Sequence, residues 1–344
     1  MSDLHSILYN IRHRAADSDR TGHWPDTDLT ELASIGAMRW AVPADAGGSD
    51  LSALDLHLHY ESIASASLAT ALILSQRDSA VGLIDGADNA ELRAELLPAL
   101  SVNKTFSTVG IAQLTTSRQG GPPALLASPI ADGFQLDGLI PWVTGADRAD
   151  FIVSAASVTG GGQILFVLPT DRPGVLVAPA MPLVALAATH TTSIRCDGVI
   201  ISSSMILRGP CERALAARRK GLAIGQAFLG MGLVRGAIDL IHSHDSDRAR
   251  EIKQEFEEQL LNVRQRVIAF CSDTAPDSAQ APMIRGNCND LAVRVTHSAV
   301  ALYKGTALTM DHPAQRLARE AMFLLVWSCP DPVIDCTVER LSST

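Results

Sequence analysis

A short run of histidine and aspartate residues is one arrangement in this sequence that could bind a metal. His242, His244, Asp245 and Asp247 form the pattern H-x-H-D-x-D, and both imidazole and carboxylate groups bind divalent metals. The run follows a long apolar segment, and an imidazole near the C-terminal end of a helix interacts favourably with the helix dipole. We therefore interpret these residues as a helix end and predict no metal site.

Six cysteines are a second set of chemically reactive side chains: Cys196, Cys211, Cys271, Cys288, Cys329 and Cys336. None of them forms a C-x-x-C pair, and no histidine cluster stands beside them at zinc-finger spacing. The pattern favours reduced, mostly buried thiols in a cytoplasmic protein. The N-terminal segment adds no apolar run typical of a signal peptide, and its acidic residues argue against a transit peptide.

The composition limits which partners the chain can bind. Among 344 residues, Lys and Arg number 28 and Asp and Glu number 37, which gives a formal net charge of −9. Because nucleic-acid-binding surfaces are basic, we expect no nucleic-acid partner. The most apolar long segment, residues 222–241, contains Gln226, Arg235 and Asp239. It therefore predicts a buried helix rather than a membrane span.

Three segments with different patterns follow one another along the chain. Residues 1–105 carry apolar side chains at helical spacing, and Ser52 is a candidate cap for one of these helices. Residues 106–207 contain short runs rich in Val, Ile and Thr, separated by Gly, Pro and Asp, as in a β-barrel or sandwich. Residues 208–344 return to helical spacing, with one predicted helix of about 33 residues that starts at Glu212. The predicted fold is α+β: an N-terminal helical domain, a central β module and a C-terminal helical bundle.

Four local sequences, in order, resemble motifs of the acyl-CoA dehydrogenase family. They are IGAMRWAVPADAGGSD, ELLPAL, GFQLDGLIPWVTGADRAD and RLAREAMFLLVWS. The resemblance covers most of the chain and implies the same three-part fold. It also implies FAD as cofactor, α,β-oxidation of an acyl thioester, an electron-transfer partner, and a homodimer or homotetramer assembled through the bundle.

The resemblance assigns several residues to the flavin. Trp142 would pack against the isoalloxazine and shield it from water, since an indole is large and apolar. Thr144, two residues further along the predicted strand, would hydrogen-bond the flavin from the same face. The segment QLTTSRQGG matches the family's T-E-P-x-x-G-S-D motif, with Thr115 as the flavin-facing Thr. Thr116 replaces the motif's Glu, and Gly120 or Gly121 stands near its Gly-Ser.

The catalytic base of such enzymes falls on a neutral residue in this chain. Removal of the α-proton of an acyl thioester requires a carboxylate, which the family usually supplies nine residues after the Arg that aligns with Arg319. That position is Ser328, and a neutral serine cannot act as this base unaided. Glu212 and Asp331 are the alternative carboxylates nearest to the positions that the family uses.

The regions that would hold the flavin pyrophosphate also depart from the family pattern. In the family an R-x-F-G motif usually reaches the flavin pyrophosphate, but neither Arg248 nor Arg250 is followed by F-G here. The segment ALYKG retains only Gly305 of the family's Q-x-x-G-G motif. These departures leave three hypotheses open. The chain is an acyl-CoA dehydrogenase-like flavoprotein with altered catalytic groups, a non-catalytic or flavin-free partner subunit, or a reduced-flavin-dependent monooxygenase. The last is favoured by DHPAQR, which resembles the H-P-x-x-R of such oxygenases and includes His312.

Overall fold

The N-terminal part of the chain is helical, and polar side chains fix where several of its helices begin. A computed structural model describes residues 3–115, 122–217 and 224–342. The side-chain oxygens of Ser52, Ser67 and Asn89 accept hydrogen bonds from backbone N–H groups at the starts of the helices that follow them. The first helices are α1 (Leu4–Thr21), α2 (Asp26–Ser34), α3 (Ala53–Ala66), α4 (Leu68–Asp85) and α5 (Ala90–Ser101).

The central module is one mixed sheet whose strands lie in the order β6-β7-β3-β2-β4-β5-β8, with β1 paired in parallel to β4. A buried cluster that includes Leu136, Ile152 and Phe166 fills its interior. The strands are β1 (Ser107–Gly110), β2 (Leu125–Ile130), β3 (Gly133–Val143), β4 (Phe151–Val158), β5 (Gln163–Pro169), β6 (Val175–Val177), β7 (Thr192–Ile201) and β8 (Ile206–Cys211).

The C-terminal helices pack against the N-terminal helices and share one hydrophobic core with them. Gly232 lies so close to α3 that a Cβ there would stand 2.3 Å from the Glu61 carbonyl oxygen. This absence of a side chain lets two helix backbones approach closely. The bundle comprises α6 (Gln226–His242), α7 (Asp247–Ser272), α8 (Ala281–Tyr303), α9 (Pro313–Val326) and α10 (Asp331–Ser342). No helix in the described ranges is long and apolar enough to cross a membrane.

The start of the bundle differs from the prediction. Glu212 follows strand β8 directly, and the described part of the long helix starts only at Gln226, so the prediction of a helix that begins at Glu212 is wrong. The reason is pairing at the sheet edge. Residues of β8 bond to β5, which commits the chain to extended structure up to Cys211. Strand β8 thereby runs past the module boundary predicted at residue 207.

Candidate functional site

A cavity of about 690 Å³ lies where the sheet module meets helices α3, α4, α6 and α9. Its size is that of a pocket for a cofactor or a small ligand. Apolar side chains such as Leu72, Leu229 and Phe323 form much of its wall, and polar groups are grouped at three places. These three places are the end of β3, the loop after α9, and the facing sides of α3 and α4.

At the first place, Thr115, Trp142 and Thr144 all line the cavity. The pairing of β3 with β7 shifts register between Ile140 and Val143, and Trp142 has a left-handed backbone with φ of 56°. Such an irregularity re-aims a side chain, and here 54% of Trp142 stays exposed. The side-chain alternation of a regular strand therefore does not explain why Trp142 and Thr144 both line the cavity. The register shift lies at Trp142, and Thr144 follows the last residue of β3.

Hydroxyl groups continue from Thr144 along the wall. Thr144 Oγ1 lies 3.5 Å from Thr191 Oγ1, which lies 2.7 Å from Thr189 Oγ1. A hydroxyl can donate and accept at once. This part of the wall can therefore offer either a donor or an acceptor to a ring bound beside Trp142.

The second place is the loop between α9 and α10, which brings Ser328 to the cavity. Ser328 also has a left-handed backbone, with φ of 50°. The Gln226 side chain donates to Ser328 Oγ over 3.3 Å, and Arg285 donates to Gln226 Oε1 over 3.1 Å. Arg285 also donates to the Trp327 carbonyl over 2.9 Å, which fixes the loop. Because Ser328 Oγ accepts from Gln226, its own O–H remains able to donate.

Arg285 makes this loop electropositive. Its side chain is buried, and no carboxylate in the described part of the chain lies within ion-pair distance of it. Burial lowers the pKa of Arg285 below its usual range, and burial raises the pKa of the nearby Cys288 thiol to about 12. A neutral thiol gives the guanidinium no counter-charge. The loop is therefore suited to hydrogen-bond donation toward a carbonyl oxygen rather than to proton removal.

The third place centres on Asp78 of α4, which was not predicted from the sequence. Asp78 lines the cavity, accepts from the Tyr60 hydroxyl over 2.7 Å, and pairs with Arg77 over 2.6 Å. Burial raises the pKa of Asp78 above its usual range, while Arg77 opposes this. A signal was present in the sequence, because Arg77 and Asp78 are adjacent charged residues in the middle of a helix that is rich in Ala, Leu and Ile.

The sequence is similar to a known family along most of its length. The model of the acyl-CoA dehydrogenase N-terminal domain matches residues 9–103. A probable acyl-CoA dehydrogenase of Mycobacterium tuberculosis, FadE25, is 23% identical over 349 residues, which cover 92% of this chain and 87% of the relative. These matches support a divergent relative of the acyl-CoA dehydrogenase family, at about 20% identity.

Solved structures bear out the fold. Butyryl-CoA dehydrogenase from Megasphaera elsdenii is 18% identical, with a TM-score of 0.81 over 100% of this chain and 99% of that chain. The dibenzothiophene monooxygenase of Paenibacillus sp. A11-2 is equally similar, with 18% identity and a TM-score of 0.80 over 97% and 94% of the two chains. The predicted α+β fold is thus confirmed, and the likeness does not discriminate between dehydrogenase and oxygenase chemistry.

The other residues named from the sequence lie away from the cavity. Glu212 and Asp331 are exposed and do not line it, and Gly305 is exposed in a short 3-10 helix, Lys304–Leu308. His312 caps α9, where its Nδ1 accepts from the Ala314 N–H over 3.2 Å. Residues 116–121, which hold Thr116, Gly120 and Gly121, lie outside the described ranges.

The histidine and aspartate run extends from the last residue of α6, through the turn that follows it, to the first residue of α7. No group of three or more potential ligands was found in the portion of the chain that the structure describes. Asp245 and Asp247 instead pair with Arg250. Arg250, a candidate contact of the flavin pyrophosphate, is therefore already paired within the chain.

The cavity wall fits the ring system of a flavin better than it fits the rest of the cofactor. A half-exposed indole beside the hydroxyls of Thr115 and Thr144 offers a flat apolar surface with hydrogen-bonding groups at its edge. Near the proposed pyrophosphate contacts, Arg248 pairs with Glu251 and Arg250 pairs with two aspartates. The residues therefore fit the isoalloxazine, and the described part of the single chain offers few unpaired cations for the phosphates.

Proposed function

We propose that this protein is a flavin-dependent oxidoreductase that acts on a short acyl thioester. The main observation behind the proposal is that one cavity is lined by four predicted site residues from separate parts of the chain: Thr115, Trp142, Thr144 and Ser328. In that arrangement the flavin ring and the acyl group would lie side by side between β3 and the loop after α9. The similarity to the acyl-CoA dehydrogenase family supports the choice of substrate class.

The chain's own residues would bind and orient the reactants. A bound flavin supplies the acceptor for the hydride that leaves the β-carbon of the acyl group. Trp142 would exclude water from one side of the ring, and the hydroxyls of Thr115 and Thr144 would hydrogen-bond its edge. Ser328, held by Gln226, would donate to the thioester carbonyl and so acidify the α-carbon.

The α-proton is the difficult part of the reaction in this chain, because in the natural protein it would have to pass to a water molecule in the cavity rather than to a side-chain carboxylate. Among the described lining residues Asp78 is the one carboxylate, and Tyr60 and Arg77 hold its oxygens. A positioned general base accelerates such a step by roughly 10²–10⁴-fold. We therefore expect slow turnover by the natural protein and a large gain when a carboxylate is placed at residue 328.

The test is anaerobic titration of the flavin-loaded protein with butyryl-CoA, followed by the loss of flavin absorbance. Ser328→Glu should speed the bleaching by about a hundredfold or more. Ser328→Gln is the matched control, because it adds a similar volume without the charge, and it should give no gain. Equal rates for the natural protein and both variants would contradict the assignment of this loop to the reaction.

A second candidate is a catalytically incomplete subunit, and the neutral side chain of Ser328 favours it. In that case the chain would keep the family's fold and interface while a partner chain supplied the reacting groups. It would purify without flavin, and Ser328→Glu would not bleach any added flavin. Oxygen uptake driven by supplied reduced flavin, without bleaching by an acyl-CoA, would instead indicate the monooxygenase.

The last part of the proposal concerns the location of the protein, its oligomeric state and its electron acceptor. We propose a cytoplasmic homodimer or homotetramer that passes electrons to an electron-transfer protein. Helix α10 supports the assembly, since Ile334, Val338 and Leu341 leave an exposed apolar stripe at helical spacing. Light scattering would give the oligomer size.

A further inference from the structure

The facing sides of α3 and α4 give the cavity a polar end. Ser75, Gln76, Asp78 and Ser79 of α4 and His57 of α3 all line it. The same two helices also bring Leu56 and Leu72 to the wall, and helix α9 contributes Met322 and Phe323. We call the five polar residues the polar end. An alkyl chain would find few favourable contacts there.

Asp78 is the charged centre of the polar end. The residue is 5% exposed, and its two carboxylate oxygens accept from Tyr60 and Arg77. A carboxylate can accept about four hydrogen bonds, so it retains acceptor capacity beyond these two donors. The second arm of Arg77 is committed to the Leu100 carbonyl over 2.5 Å, which holds the pair in place.

The neighbours of Asp78 add smaller groups that donate and accept. Ser75 donates to the Leu72 carbonyl over 2.8 Å and has Gln76 Nε2 at 3.5 Å. His57 Nδ1 lies 2.6 Å from the Ala53 carbonyl. Ser75, Gln76 and Ser79 are all partly exposed. The polar end therefore offers several hydrogen-bonding groups to a ligand that carries one of its own.

The cost of unmet hydrogen bonds and of like charges determines which kind of ligand group can bind at the polar end. A polar group that loses its hydrogen-bond partner inside a cavity is destabilising, so an alkyl tail that displaced water here would bind poorly. A hydroxyl would donate to one of these acceptors and accept from Gln76. A terminal carboxylate would instead face the negative charge of Asp78, and two like charges repel strongly in a buried site. An uncharged donor is the chemistry that this end accommodates.

We propose that the acyl group bound by this protein carries a hydroxyl at its far end, and that the polar end recognises it. The inference rests on the proposed function, because it takes the ligand to be a thioester bound in this cavity. It makes Gln76, Ser75 and Ser79 specificity-determining residues. A site built to bond a hydroxyl discriminates strongly against the analogue that lacks it.

The experiment is calorimetric titration of the full-length protein with three CoA thioesters of matched length. They are 4-hydroxybutyryl-CoA, pentanoyl-CoA, in which a methyl replaces the hydroxyl, and succinyl-CoA, in which a carboxylate replaces the terminal CH2OH group. We expect 4-hydroxybutyryl-CoA to bind about tenfold or more tightly than pentanoyl-CoA, with succinyl-CoA the weakest. Equal affinities for the first two would overturn the hydroxyl assignment and leave the thioester function standing. Failure of all three to bind would overturn both.

A variant isolates the polar end from the rest of the cavity. Gln76→Leu should raise the affinity for pentanoyl-CoA and lower that for 4-hydroxybutyryl-CoA, so that their ratio moves toward one. Gln254→Leu is the matched control, since Gln254 is exposed on α7, away from the cavity. An unchanged ratio in Gln76→Leu would contradict the proposed role of this residue even if the natural protein prefers the hydroxyl.

Discussion

Several residues of the cavity wall adopt backbone conformations that side chains normally avoid. Trp142, Leu186 and Ser328 all have positive φ and all line the cavity. Each such residue costs of order 1–3 kcal/mol and persists only where its surroundings hold it. For Ser328 the surroundings are visible, because Gln226 donates to its side chain and Arg285 donates to the carbonyl of the preceding Trp327. Strain at three points of one wall is consistent with a site shaped for binding rather than for stability.

A residue outside the cavity makes the stability depend on pH. His59 stacks on Trp40 with ring centroids 4.2 Å apart, and burial lowers the pKa of His59 below its usual range. The folded state thus favours the neutral imidazole. This contribution to stability is complete above the usual histidine pKa and is lost as the pH falls through that value toward the lower folded one.

We therefore expect the melting temperature to fall between about pH 7.5 and about pH 5.5, and to fall less in His59→Phe. Phenylalanine keeps the stacking and cannot be protonated. Thermal unfolding of both proteins at the two pH values measures the difference. If the two melting temperatures fell by the same amount, His59 would not be the group responsible.

At the scale of elements, the cavity depends on how closely α6 approaches α3. Replacing Gly232 with Ala would put a Cβ 2.3 Å from the Glu61 carbonyl oxygen and 2.6 Å from Ala64 Cβ. Overpacking of this kind costs typically about 1–3 kcal/mol. Arg264 and Glu61 lie beside this contact, where their ion pair spans 2.9 Å.

We expect Gly232→Ala to lower the free energy of unfolding by about 1–3 kcal/mol, measured by urea denaturation. Gly82→Ala is the control on α4, because a Cβ added to Gly82 would meet no neighbouring atom within 4 Å. Alanine is the better helix former, so this control should raise stability by about 0.5–1 kcal/mol. Equal effects of the two substitutions would mean that the α3–α6 approach is not tight.

The sequence predicted the elements whose patterns are local and missed those that depend on distant partners. Strand β7 is rich in Thr, Val and Ile, and β3 carries apolar residues bounded by Gly, and both were expected. Strand β8 contains Gly209 and Pro210, which favour a turn, and is extended because it pairs with β5. The same limit applies within the site. Trp142 was predicted from its motif, whereas the position of Asp78 in the cavity wall depends on the packing of α3 on α4.

At the scale of the whole molecule, the sheet and the helices contribute different parts of one site. The sheet module presents Trp142 and Thr144, while the helices present Ser328 and the polar end. Arg319 links the parts at one edge, since it lines the cavity, pairs with Asp19 of α1 and donates to the Val184 carbonyl over 2.6 Å. Substrate-sized space therefore exists only in the assembled chain, which is why no single motif could establish it.

The central claim is that this cavity holds a flavin, and the visible absorption of the purified, full-length protein tests it most directly. We predict a flavin band that corresponds to nearly one equivalent per chain and is largely lost in Trp142→Ala. Tyr9→Ala is the control and should retain the band, because the ring of Tyr9 is exposed on α1. A colourless natural protein that takes up no added FAD would contradict the claim. Full flavin occupancy in Trp142→Ala would also contradict the claim, because the flavin would then bind without the indole that is proposed to hold its ring.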